Sequence, residues 1–154
     1  MKIQPLFEMQ KKYNSRLVIN DELSLYKLHA RKNLEFQIQL GDLANETKCF
    51  NYLKTEPQPI DINIISNKYI SCISKILSLG IDNNYTDLSD IPLIPNDYCL
   101  SDQFLNLYFD ISDLIMSPSK DHYLTLFQDF LSLGLTMGFS EEKILKDFED
   151  SMNK

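Results

Sequence analysis

Tryptophan is absent from this chain of 154 residues, and glycine occurs only four times. Glycine supplies the positive-φ corners that hairpins and tight turns need, so its scarcity argues against a loop-rich or all-β fold. The three cysteines, Cys49, Cys72 and Cys99, are odd in number and widely spaced. That pattern is neither a disulfide framework nor a zinc knuckle, and reduced, partly buried thiols are expected. No basic run offsets the net charge of −7, so a nucleic-acid backbone would be repelled and no nucleic-acid partner is expected. No apolar stretch reaches the ~18–20 residues that a spanning helix requires, so no membrane partner is expected either. Glu8, Gln10, Lys11 and Lys12 interrupt any secretory leader core at the N-terminus, which predicts a cytoplasmic protein. His29 and His122 lie in no arrangement of Ser, Cys or carboxylate that would suggest a nucleophilic triad, and both are read as surface residues.

What the chain does have is Leu, Ile and Phe at steps of three and four. The expected fold is a single all-α domain over residues 1–154, a bundle of about six helices. The first helix is expected from Pro5 to Leu17. A long second helix is capped by Asn20 or Asp21 and runs to about residue 54, short of Pro57. It carries the apolar residues Leu25, Leu28, Leu34, Ile38, Leu43 and Phe50. A third helix covers Ile62 to Leu79, with Gly80 as its stop. Asp82 to Leu100 shows no sustained period and reads as a long loop. Ser101 is expected to cap the fourth helix, Ser117-Pro118 to open the fifth with proline at its first position, and Ser140-Glu141-Glu142 to open the last.

The most informative stretch is Phe36-Gln37-Ile38-Gln39-Leu40-Gly41-Asp42-Leu43-Ala44-Asn45-Glu46-Thr47-Lys48-Cys49-Phe50-Asn51-Tyr52. It resembles the signature helix of the dimeric, all-α dUTPase family, related to other all-α nucleoside triphosphate pyrophosphatases. Ile76-Leu77-Ser78-Leu79-Gly80-Ile81, Leu105 to Leu114 and Phe127 to Phe139 resemble later segments of the same family, so the resemblance covers most of the chain. It implies a homodimer. It also implies magnesium held by Glu-x-x-Glu on one helix and Glu-x-x-Asp on the next, and cleavage of dUTP to monophosphate and pyrophosphate. The positions that match those four ligands are Gln39, Asp42, Lys68 and Ser71.

Four carboxylates would sum to −4. Here Asp42 and Lys68 cancel while Gln39 and Ser71 are neutral, so the sum is zero. Magnesium wants hard oxygen ligands, and an ammonium at a ligand position repels it. The family's tryptophan after Cys-Phe is missing, and Asn51-Tyr52 stands there instead. The family's C-terminal Lys/Asn-rich motif is not spelled by Ser151-Met152-Asn153-Lys154. The expectation is a divergent, catalytically impaired member acting through nucleotide or protein binding, with Asn45 and Tyr52 as candidate nucleotide contacts and Lys68 as a phosphate counter-charge. The alternative is an active magnesium-dependent dUTP or NTP pyrophosphatase with its metal site relocated to Glu35, Asp42 and Glu46. The bland alternative is a helical scaffold whose stripe Glu35, Asp42, Glu46 is a solvated face.

Overall fold

The computed structural model describes residues 1–154 and is all helical, with no strand. The order is α1 (Gln4–Asn14), α2 (Leu25–Thr47), α3 (Ile62–Asp82), α4 (Leu100–Met116), α5 (Lys120–Thr136) and α6 (Glu141–Met152). α3 is the centre and touches α1, α2, α5 and α6, while α4 pairs with α5 and also meets α2. The sequence explains that position. α3 buries Ile65, Tyr69, Ile73, Ile76 and Leu77 together with Cys72, an apolar surface too wide for one neighbour. No helix is long and apolar enough to cross a membrane.

α3 and α5 are locked by two tyrosines that pass over two glycines. Tyr69 of α3 lies over Gly134 of α5 and donates from its hydroxyl to the Phe130 carbonyl at 3.0 Å. Tyr123 of α5 lies over Gly80 of α3 and donates to the Ile76 carbonyl at 2.8 Å. Both rings are fully buried, and burial holds both phenols well above their ordinary pKa. Gly80 is therefore a packing residue and not the expected helix stop: α3 runs through it to Asp82.

Other boundaries differ for local reasons. α1 stops at Asn14, so Leu17 lies outside it in the connector to α2 and is exposed. Ser24 caps α2, its hydroxyl accepting from the Lys27 amide at 3.2 Å, whereas Asn20 only closes a turn with Glu22. α2 ends at Thr47, not near 54, because Lys48 adopts the left-handed conformation with φ 57°. Its buried face is Phe36, Leu40 and Leu43, while Leu25, Leu34 and Ile38 are exposed. Phe50 lies beyond the helix and is exposed too. α4 begins at Leu100 with Cys99 at its cap position, two residues before the expected Ser101. Ser119 caps α5, which leaves Pro118 outside the helix. Ser140 caps α6, its hydroxyl accepting from the Lys143 amide at 3.2 Å. Of the thiols, Cys72 is buried, Cys49 partly buried and Cys99 exposed.

The segment between α3 and α4 has no regular structure but is tied down. Gln4 Nε2 donates to the carbonyls of Thr86 and Leu88 at 2.7 and 2.9 Å, Ile91 N donates to Met1 O at 3.0 Å, and Ser132 Oγ donates to Ile94 O at 2.6 Å. Its own Leu88 and Ile91 are buried.

A buried carboxyl sits where α4 meets α5. Asn106 Nδ2 donates to Asp129 Oδ2 at 3.0 Å and reaches Asp110 Oδ2 at 3.5 Å. Burial, then the hydrogen bond and charge of Asp129, then the charge of Asp113, push the Asp110 carboxyl up from 3.8 to about 8. The folded state thus holds this proton more tightly than the unfolded chain does. Its contribution to stability is complete below the unfolded pKa and is lost as pH rises through about 8. Asp110→Asn should therefore gain stability over the parent chain as pH climbs from about 4 to about 8. Thermal melts across that range test it, and a constant difference between the two proteins would refute it.

Candidate functional site

α2 and α3 pack antiparallel, and residues three or four apart on each share one face. The facing side chains form three rungs. Lys75 Nζ meets Glu35 Oε1 at 3.0 Å, and Ser71 Oγ donates to Gln39 Oε1 at 3.0 Å. Asp42 and Lys68 make the third rung without touching: no carboxylate oxygen lies within 4.0 Å of the Lys68 ammonium. A cavity of about 170 Å³ is lined by Gln39, Asp42, Lys68 and Ser71 and by no other residue. Behind it lies Cys72, whose thiol is pushed up to about 12, by burial first and then by the charge of Asp42, so it stays a protonated thiol.

The donor set does not fit magnesium. One oxygen of the four residues, Gln39 Oε1, already accepts from Ser71; one carboxylate remains, beside an ammonium. No three His, Cys, Asp or Glu side chains anywhere converge as a metal-holding group. Glu35 and Glu46 lie on α2 with Asp42 but do not gather around a common point, and Glu35 is committed to Lys75. Asn45 is exposed on the last turn of α2, and Tyr52, 88 % exposed, lies in the irregular segment beyond it. Neither lines this cavity or the two larger ones beside it.

Those two cavities continue the small one along α3. Ser71 also lines a cavity of about 570 Å³ against α1 and α6, whose polar walls include Lys143, Asp147 and Lys154. There Asp147 accepts from Lys143 Nζ at 2.7 Å and from Ser66 Oγ at 2.9 Å, and these bonds, Lys143's foremost, lower its pKa. Ser74 lines this cavity and a third of about 620 Å³ between α1, α2 and α3.

The third cavity brings in residues that the pattern of the sequence did not single out. Ser74 Oγ donates to Gln10 Oε1 at 2.8 Å, Gln10 Nε2 donates to Asn14 Oδ1 at 2.9 Å, and Asn14 Nδ2 donates to Ser78 Oγ at 3.2 Å. Gln10 is 1 % exposed. The available signal was an amide pair four residues apart on the otherwise apolar face of α1, facing two serines at the same spacing on α3. Arg31 lines the same cavity with Lys32, which is paired to Asp82 at 2.7 Å.

The structure thus joins three features in one trough along α3: an amide and hydroxyl network, flanking cations, and a small charge-neutral cavity. Comparison with known proteins gives one positive result. No curated protein and no solved structure matches the chain. A family model described as dUTPase matches residues 2–153, nearly the whole length. An all-helical frame over that span agrees with the match, and the chain belongs to the dimeric, all-α dUTPase family.

Proposed function

We propose that this protein binds a uracil-type nucleotide in the α3 trough and hydrolyses it little or not at all. The observation that carries the reading is the small cavity between α2 and α3. Its four lining residues sum to zero charge, and its Gln39 oxygen is held by Ser71. The base belongs in the cavity between α1, α2 and α3, whose wall carries the half-buried Asn14 and the exposed Arg31 beside the apolar Leu28 and Ile81. The phosphates then extend past Ser74 and Ser71 toward Lys68. Calorimetry with dUMP and dUTP should show binding, while pyrophosphate release in magnesium stays at background. Vigorous release that Asp42→Ala abolishes would instead establish an active enzyme with a relocated metal site.

The same reading includes a homodimer. Tyr108 Oη of α4 donates to the Gln37 carbonyl of α2 at 3.1 Å. Leu34 and Ile38 on α2 and Leu105 and Phe109 on α4 flank that contact, each more than half exposed. Such an apolar patch on two adjacent helices is characteristic of an interface. A second copy of the chain is the proposed occupant, since the family is typically dimeric. Phe109→Glu with Ile38→Glu should convert a dimer into a monomer by light scattering. A parent protein that is already monomeric at high micromolar concentration would remove this part of the proposal and leave the patch to a different protein partner. The three unpaired thiols are consistent with a reducing, cytoplasmic setting.

A further inference from the structure

The trough is crossed by cations, but they are not equivalent. Lys75 is paired with Glu35 at 3.0 Å, Lys32 with Asp82 at 2.7 Å and Lys143 with Asp147 at 2.7 Å. Lys68, like Arg31 and Lys154, has no carboxylate partner, and it alone of these cations borders the small cavity. Beside it, the Gln39 amide nitrogen donates to no protein group, because the Ser71 bond engages only its oxygen. The cavity therefore offers an ammonium and an amide N–H pair to an incoming group, together with a hydroxyl whose proton can turn. These are the donors that phosphoryl oxygens accept from. On a chain of net charge −7, an anion settles only where such donors outweigh the local acids. Here the one opposing charge is Asp42.

We propose that Lys68 takes a phosphoryl group directly, with Gln39 and Ser71 as further donors, so that this site holds the phosphate chain of a nucleotide without a divalent cation. The proposal rests on the reading that the trough binds a nucleotide, and it replaces the metal by a fixed ammonium. Two consequences follow from charge. Magnesium neutralises part of the phosphate chain in solution and is itself repelled by Lys68, so it weakens binding. Asp42 repels the phosphate, so removing its charge strengthens binding. A magnesium-bridged site would behave in the opposite way on both counts, because there Asp42 would be the last remaining anionic ligand.

The test is calorimetry of the full chain with dUTP, first in EDTA and then in excess magnesium. Binding in EDTA should be as tight as in magnesium or tighter. Lys68→Gln should weaken dUTP binding in EDTA by ~10-fold or more, the scale of one charge-assisted hydrogen bond. The same substitution should leave binding of deoxyuridine, which has no phosphate, unchanged. Asp42→Asn should tighten dUTP binding several-fold. Lys68 and Asp42 lie on a solvent-facing cavity, so both variants should keep the parent's circular dichroism and melting temperature. Binding that appears only with magnesium would overturn the proposal while leaving the nucleotide reading intact. So would weaker binding by Asp42→Asn, or a Lys68→Gln variant equal to the parent. No dUTP binding in either condition, with folded protein, would overturn both.

Discussion

Gly80→Ala is expected to lower the stability of the protein by about 3 kcal/mol or more, and Gly134→Ala by a similar amount. A methyl at position 80 would sit 2.2 Å from the Tyr123 hydroxyl and 2.5 Å from Cζ; at position 134 it would sit 2.3 Å from the Tyr69 hydroxyl and 2.6 Å from Cζ. Neither ring can step aside. Tyr123 is fixed by its bond to Ile76 and by Phe127 and Tyr85, with ring centroids 6.0 and 5.6 Å away. Tyr69 is stacked on Phe130 at 4.6 Å and leans on Phe139 at 5.3 Å. Relief requires α3 and α5 to separate, and that opens the centre of the core and breaks a buried hydrogen bond worth ~1 kcal/mol. For a domain of this size the melting temperature should fall by roughly 6–12 °C. Gly138→Ala is the control: its φ is 86° but no atom lies within 4 Å of the added carbon, so its cost is backbone strain alone, about 1 kcal/mol. Denaturant melts should rank Gly80→Ala and Gly134→Ala well below Gly138→Ala. Equal losses at all three would show that the tyrosine contacts are not rigid.

The same glycine shows where the sequence is legible and where it is not. A glycine near the end of an apolar period reads as a stop, and nothing local distinguishes a stop from a gap left for a ring on another helix. That information lies in Tyr123, more than forty positions away. Helix existence depends on nearest-neighbour spacing and was readable throughout, α6 included, where Ser140, Glu141 and Glu142 announce the first turn. The end of α2 was not, because the left-handed position that stops it is held by Lys48 and not by the glycine or asparagine that would announce it. Nor could the buried face of α2 be chosen. Phe36, Leu40 and Leu43 form one apolar stripe, Leu34 and Ile38 form another, and only packing against α3 selects the first. In the trough, charge and spacing made Gln39, Asp42, Lys68 and Ser71 visible. The Gln10, Asn14, Ser74 and Ser78 network stayed hidden, since four uncharged polar residues on two helices carry no signal until the helices meet.

Gln39→Glu, Asp42→Glu, Lys68→Glu and Ser71→Asp, made together, are expected to give the protein a magnesium affinity that the parent lacks. The four side chains already line a single cavity, so the change alters charge without requiring a new backbone. A unit charge ~4 Å from a divalent ion is worth ~8 kcal/mol of raw Coulomb energy at an effective dielectric of ~20. Relaxation and solvent screening remove most of that, but the variant changes the local charge from zero to −4, and a gain of ~100-fold in magnesium affinity uses only ~3 kcal/mol. Without the ion, four carboxylates in one small cavity repel each other, and the bond from Ser71 to Gln39 is gone. The metal-free variant should therefore melt below the parent, and magnesium should raise its melting temperature while leaving that of the parent unchanged. Pyrophosphate release from dUTP is the second readout, and it depends also on residues outside these four positions. Magnesium-dependent stabilisation does not depend on them. A folded variant whose melting temperature ignores magnesium would mean that these four positions do not point at a common centre, and the reading of this cavity as a dismantled metal site would fail with it.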